Sequence, residues 1–429
     1  MEKTSNAELY QEANVYSPGG VHTSIRNVDP HLIFTKAEGA YMEDVEGNRF
    51  IDYQAAFGPF VLGHNYPYVN DRVKEAISRT DLFGVGTTDM EIELAKKVCE
   101  HVPASEQVLF CNSGSEATYH AIRLARAVTE KKKLIKFQGC YHGWHDYVAR
   151  NMLSDWDKIG KRDPGSAGMM DEAIDNTLVC TFNDLADVEE TLQKNKGEVA
   201  AIILEPIPHN IGCILPEDGF LQGLKTLCSE YGALLIFDEV VTGFRHSIGG
   251  FQEIAGVTPD LTTLGKAMAN GYPMAAIAGK KQYMSRFNTQ PGGDVWFAGT
   301  YNGHAVGTAA SMATIEMMEK EPVHEHIFRL GERMRSGITE IHDILNIDAF
   351  VAGFGSVWTT YFMDFQPKKY SDLQYNNGDL YVRYRKKLLE RGIFKMPMNI
   401  KRNHISYSHT VNEIDTTLEA IEDVLRELK

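Results

Sequence analysis

Two short stretches in the middle of the chain carry the strongest chemical signal. Leu234-Leu235-Ile236-Phe237 runs straight into Asp238-Glu239, and Gly265-Lys266 follows a second apolar run, Leu261-Thr262-Thr263-Leu264. Four apolar residues and then two carboxylates describe a buried strand that offers acids at its C-terminal edge, where open α/β sheets bind ligands. A lysine brought to that edge by a neighbouring strand sets an amine beside an acid. The pair suits pyridoxal phosphate chemistry, in which the amine forms a Schiff base with an aldehyde and the acid keeps the pyridine nitrogen protonated. An apolar run ending in Asp-Glu also closes the magnesium-holding strand of P-loop ATPases. That reading needs Gly-x-x-x-x-Gly-Lys-Ser/Thr, which the sequence lacks. A plain core strand with solvated acids at its end is the other alternative.

Further stretches have the composition of a binding site. In Val108-Leu109-Phe110-Cys111-Asn112-Ser113-Gly114-Ser115-Glu116-Ala117 an apolar run meets a polar turn and then a helical pattern. Ser113 with Glu116 fits a capping box, while the free N–H groups of Gly114 and Ser115, with the Ser115 hydroxyl, fit a phosphate at a helix N-terminus. Phe137-Gln138-Gly139-Cys140-Tyr141-His142 puts an aromatic at another strand edge, and Tyr141 could stack on a flat heterocycle. His142-x-x-His145-Asp146 has a metal-like spacing, but a packed, hydrogen-bonded histidine pair explains it better and no metal is expected. Leu204-Glu205-Pro206 ends a strand in an acid on the same edge. Gly299-Thr300-Tyr301-Asn302-Gly303-His304 offers hydroxyl and backbone donors ahead of a helix, where a plain cap is an equal reading.

The elements that position these residues follow an α/β rhythm. Apolar runs at Val108–Cys111, Leu134–Phe137, Leu178–Cys180, Ala200–Leu204, Leu234–Phe237, Leu261–Leu264 and Met274–Ala278 predict a seven-stranded, mostly parallel sheet. The last strand is joined to its predecessor by a segment too short for a crossover helix, so it is expected to run antiparallel. Helices are expected over Ala7–Asn14, Tyr68–Arg79, Met90–His101, Ala305–Glu319, His324–Leu345 and Asn412–Leu428. Short strands are expected at Leu32–Thr35, Ala40–Asp44 and Ser356–Phe362. A net charge of −15 over 429 residues argues against nucleic acid or an anionic membrane surface as partner. No apolar run is long enough to span a bilayer, and the polar N-terminus does not read as a signal peptide. Six scattered cysteines with no Cys-x-x-Cys pair read as reduced thiols of a cytoplasmic protein. Phe57–His64 and Trp296–His304 are too apolar for exposed loops and point to a homodimer with shared sites.

Together, Asn112-Ser113-Gly114-Ser115-Glu116-Ala117, Tyr141-His142-Gly143, Asp238-Glu239-Val240-Val241-Thr242-Gly243-Phe244-Arg245 and Gly265-Lys266 resemble the class III (subgroup II) pyridoxal-phosphate aminotransferases. The nearest branch contains glutamate-1-semialdehyde aminomutase and the β-amino-acid aminotransferases, and the resemblance covers nearly the whole chain. It implies fold type I, with a large cofactor-binding domain over 53–310 and a smaller α+β domain from 1–52 and 311–429. It implies that Lys266 holds pyridoxal 5′-phosphate and moves the proton, that Asp238 pairs with the ring nitrogen, and that Val240 and Tyr141 cover the two ring faces. Ser113, Gly114, Ser115, His142 and Glu205 complete the implied cofactor set, with Thr300 reaching the phosphate from a partner subunit. Arg26 matches the arginine that grips the substrate carboxylate.

The chain departs from the aminomutase pattern in two places. Ile400-Lys401-Arg402-Asn403 stands where the mutase has Phe-Glu-Ala-Gly, so Lys401 replaces a glutamate. A bulkier, charged Arg150–Asp163 segment replaces its gating loop. A cation pair near the site, with Arg402 binding substrate, suits an exchangeable acid such as pyruvate or 2-oxoglutarate, although a solvated basic loop is the plain alternative. The expected activity is amino-group transfer from an amino acid, a β-amino acid included, or an amine to a keto acid. An aminomutase or racemase of the same family is the alternative, and a nucleotide-binding protein built on the Asp-Glu strand is the rival from another class.

Overall fold

The computed structural model describes residues 5–429. Its strands are, in chain order, β1 (Phe34–Glu38), β2 (Tyr41–Asp44), β3 (Arg49–Asp52), β4 (Gln107–Cys111), β5 (Lys133–Phe137), β6 (Thr177–Cys180), β7 (Val199–Leu204), β8 (Leu234–Glu239), β9 (Leu261–Leu264), β10 (Ala275–Gly279), β11 (Phe350–Phe354), β12 (Val357–Tyr361), β13 (Ile393–Phe394) and β14 (Asn403–His404). Seven of them form the central sheet in the order β4-β10-β9-β8-β7-β5-β6. Strands β6, β5, β7, β8 and β9 are parallel to one another, and β10 is antiparallel to both β9 and β4. The expected reversal of the last strand is therefore present. Every residue of β7 and β8 is buried, because helices cover both faces of a parallel sheet and the strands need no polar side. That explains their unbroken apolar runs.

The two chain ends build a smaller α+β domain. β1, β2 and β3 form an antiparallel meander to which β13 adds in parallel, so the last quarter of the chain pairs with its beginning. β11 and β12 form a hairpin extended by β14. Over these sheets pack the helices Val323–Leu345, Gly378–Glu390 and Val411–Leu428. The first buries Ile327, Leu330, Met334, Ile338, Ile341 and Leu345, the three- and four-residue spacing of an amphipathic helix facing one core. β1 starts two residues later than its apolar signal, and β3, β11 and the helix Gly378–Glu390 were not anticipated. The two-residue strands β13 and β14 are too short to leave a pattern. Among the described residues no helix is long and apolar enough to cross a membrane, and all six cysteines are free.

Candidate active site

At the C-terminal edge of the central sheet the strand ends converge on a cavity of about 270 Å³. Its first wall is the turn after β4. Ser113 Oγ accepts from the N–H of Glu116 at 3.3 Å, and Glu116 Oε2 accepts from the N–H groups of Asn112 and Ser113 at 2.6 and 3.0 Å. The capping box thus satisfies the residues before the helix Gly114–Thr129 and leaves the N–H groups of Gly114 and Ser115 for an anion. The capping box is therefore formed, and it leaves room beside it for the phosphate reading. Gly114 is required by close approach, since a Cβ there would lie 2.8 Å from Val240 Cγ1. Gly143, at φ +114°, lets its loop pass Ser115, whose Oγ would be 2.7 Å from an added Cβ.

β8 separates its two acids. Asp238 lines the cavity, and its Oδ2 lies 2.8 Å from His142 Nδ1. Its Oδ1 accepts from the Thr263 hydroxyl and the Val240 N–H, both at 3.1 Å. Glu239 points to the opposite face, as strand alternation requires. There it accepts from the N–H groups of Phe251 and Gln252, the Gln252 amide and the Thr242 hydroxyl. Burial pushes the Glu239 carboxyl up. One acid serves the cavity and the other ties down a loop.

Glu205, at the end of β7, also reaches the cavity. Its Oε1 accepts from the Tyr141 N–H at 3.0 Å and its Oε2 from the Asn210 N–H at 3.2 Å, while burial raises its carboxyl above the ordinary range. His142 and His145 are not bonded to each other. Thr118 Oγ1 lies between them, donating to the His142 carbonyl at 2.6 Å and facing His145 Nε2 at 3.2 Å.

Lys266 follows β9 in a left-handed conformation, φ +44°, which costs a non-glycine residue strain and marks a position fixed by its surroundings. Among the described residues its amine makes no hydrogen bond. Burial, reinforced by the charge of Arg402, brings the amine down to about 8. Lys266 is also partly open to the cavity that it lines.

The small domain supplies the remaining wall. Arg402, just before β14, lines the cavity with its Nη2 donating to the Phe57 carbonyl at 2.7 Å and its Nε to His404 Nε2 at 3.3 Å. That carbonyl belongs to Ala55-Ala56-Phe57, three consecutive left-handed residues at φ 49°, 49° and 69°. Asp52 holds the turn by accepting from the N–H groups of Gln54 and Ala55, and its Oδ2 lies 2.8 Å from His64 Nε2. The buried Arg245 grips the next carbonyl, that of Gly58, at 2.8 Å. The cation pair expected from sequence is thereby divided. Lys401 does not line the cavity, and its amine donates to the Asn210 carbonyl and side-chain oxygen at 2.6 and 2.5 Å. Burial, then Arg402, lowers it to about 7.

The cavity brings together Ser113, Gly114, Ser115, Tyr141, His142, Glu205, Asp238, Val240, Lys266 and Arg402. Arg26, exposed on the turn Ser24–Arg26, and Thr300, exposed after β10, are not among its lining residues in the single chain. Asn112, Asn210 and Gly271–Met274 line it without having been singled out. Pro59, within Phe57–His64, lines it as well.

The residues present fit the cofactor that the resemblance implies. Two free N–H groups at a helix start suit a phosphate, a buried carboxylate suits a ring nitrogen, and an unpaired, lowered amine suits an aldehyde. Among the described residues Nε2 of the buried His142 is without a partner as well. Comparison with known proteins leads to the same place. A family model described as aminotransferase class-III matches residues 23–425. A glutamate-1-semialdehyde 2,1-aminomutase of Methanocaldococcus jannaschii is 40% identical over 430 residues, covering 100% of both chains. Among solved structures, an omega-transaminase from Sphaerobacter thermophilus superposes with a TM-score of 0.93 at 29% identity, covering 100% of this chain and 98% of that one. A transaminase with PLP bound gives 0.90 at 28%, with the same coverage.

Proposed function

The chain belongs to the class-III aminotransferase family, and on that premise we propose that it moves an amino group from an amino acid or amine to a keto acid. Its cofactor is pyridoxal 5′-phosphate, which when bound supplies an aldehyde for the substrate amine and a ring that accepts electrons. In this reading Gly114 and Ser115 hold the phosphate, and Val240 and Tyr141 confine the ring. Asp238 faces the ring nitrogen. His142 and Thr263 hold its carboxylate in one orientation, so that the charge opposing the ring proton is fixed before substrate arrives. Lys266 holds the cofactor at rest and then carries a proton on its Nζ. The burial that lowers this amine favours its neutral form, the form that can accept that proton.

The observation that carries the acceptor half of this reading is Arg402. Its guanidinium faces the cavity bonded to a carbonyl and a ring nitrogen, so among the described residues no carboxylate hydrogen bond neutralises it and its charge is left for a substrate carboxylate. The reading keeps Arg26 as ligand for the carboxylate of the amino donor. It keeps Thr300 of the partner subunit as a phosphate ligand in a cytoplasmic homodimer, a compartment that suits the free cysteines.

Aminomutase activity is the second reading. It is favoured by the 40% identity to a curated aminomutase over the full length, and such an isomerisation needs no second substrate. The two separate on one experiment. Purified, cofactor-loaded protein is given candidate donors with and without pyruvate or 2-oxoglutarate, and sedimentation of the same preparation checks the dimer. Turnover only with the keto acid supports amino transfer. Conversion of glutamate 1-semialdehyde at full rate without any keto acid would replace that reading with the aminomutase one.

A further inference from the structure

Lys401 is 3% exposed and sits on the small-domain side of the cavity without lining it. Both hydrogen bonds of its amine go to one residue, to the main-chain oxygen and the side-chain oxygen of Asn210. Asn210 does line the cavity and passes the contact on. Its N–H donates to Glu205 Oε2 at 3.2 Å, and its Nδ2 donates to the Gly139 carbonyl at 2.9 Å. The other Glu205 oxygen accepts from the Tyr141 N–H at 3.0 Å. A continuous line of donors and acceptors therefore runs from the small domain to the ends of β7 and β5. Two adjacent cations aimed into one cavity would repel each other. Turning Lys401 toward Asn210 leaves Arg402 as the guanidinium that faces substrate.

We propose that Lys401 is a positioning residue that fixes Asn210, and through it Glu205 and Tyr141, against the cofactor, and that it is no ligand for a substrate carboxylate. This rests on the reading of the cavity as the cofactor site. The physical cause is the cost of release. Without the amine, two oxygens of the half-buried Asn210 lose their donor and its amide is free to turn. The line crosses from one domain to the other, so the placement of Glu205 and Tyr141 depends on the small domain being docked.

The test measures affinity for pyridoxal phosphate by fluorescence titration of cofactor-free dimer, with no substrate present. Lys401→Met and Asn210→Ala should each weaken binding roughly tenfold, and the double variant should be no weaker than the poorer single one, because both act through one contact. KM for donors with and without a carboxylate should move by the same factor. If Lys401→Met gives no folded protein, Lys401→Leu, which likewise removes the donor, takes its place in the cycle, and Lys401→Gln, which keeps one, should bring binding back toward wild type. Additive losses in the double variant would overturn the proposal. So would unchanged cofactor affinity with KM raised only for carboxylate-bearing substrates. Wild-type protein that binds no pyridoxal phosphate would instead overturn the reading of the cavity itself.

Discussion

The cavity is made by two regions that place side chains in different ways. On the sheet side, strand ends deliver Asp238, Glu205 and Lys266, and each position follows from a run of apolar residues that must be buried. On the small-domain side, Lys401 and Arg402 come from a segment without regular structure ahead of a two-residue strand. Their directions are set by what they meet, a carbonyl of a left-handed turn for one and Asn210 for the other. The sheet fixes its residues through the backbone, whereas the small domain fixes its residues through side-chain partners. Chemistry common to a family belongs on the first kind of wall, and substrate choice can change on the second.

The largest expected effect lies on the sheet wall. Asp238→Asn keeps the shape and the Thr263 contact but removes the charge that the proposed reading sets against the ring nitrogen, so kcat should fall about 10²- to 10³-fold with cofactor still bound. Its neighbour supplies the control. Glu239→Gln should lower the unfolding midpoint through its lost loop contacts and leave kcat of the folded enzyme within a few-fold. Equal loss of kcat in both variants would mean that the strand end acts as one structural unit and that Asp238 has no role of its own.

On the small-domain wall the expected effect is smaller and selective. Arg402→Ala should raise KM for a keto acid about 10- to 100-fold and leave amines without a carboxylate nearly unchanged, because a charge-assisted contact is lost only where the substrate has the charge. Arg26→Ala, from the exposed turn, should act on the amino acid donor alone. A matching rise for every substrate in Arg402→Ala would assign Arg402 to holding the left-handed turn.

This contrast also decides what the sequence alone makes legible. The seven central strands and their one reversal were legible, because buried strands leave short apolar runs whose length and flanking turn residues mark them off from helices. Asp238, Glu205, Lys266 and the Ser113-Gly114-Ser115 turn were legible for the same reason. That Asp238 and Glu239 part company was implicit in strand alternation, yet which acid faced the cavity came only from the resemblance. Asn210 was illegible, since its role rests on Lys401, some 190 residues away, and no spacing links them. Lys401 was read as half of a cation pair, and only its partner shows otherwise. The left-handed Ala55–Phe57 turn was hidden too, for it is built from residues that ordinarily avoid that conformation.

The smallest effect tests how Lys266 is held, and it needs no substrate. In the unfolded chain a lysine amine keeps its proton up to about pH 10.4, whereas burial brings the folded amine to about 8. Below pH 8 the folded, cofactor-free protein carries the full cost of a charged amine in the cavity. Between the two values unfolding takes up a proton, so this contribution to stability rises with pH, and above about 10.4 the cost is gone. Lys266→Met removes the amine. The cofactor-free variant should therefore outlast wild type in urea at pH 7 by about 1–2 kcal/mol, a figure reduced for the partial opening of the amine to the cavity, and the advantage should close as pH approaches 10. Taking the difference between variant and wild type cancels the buried thiols and phenols, which titrate identically in both. A constant advantage at pH 7 and pH 10 would show that the methionine acts by packing alone and that the sheet wall does not hold the Lys266 amine low.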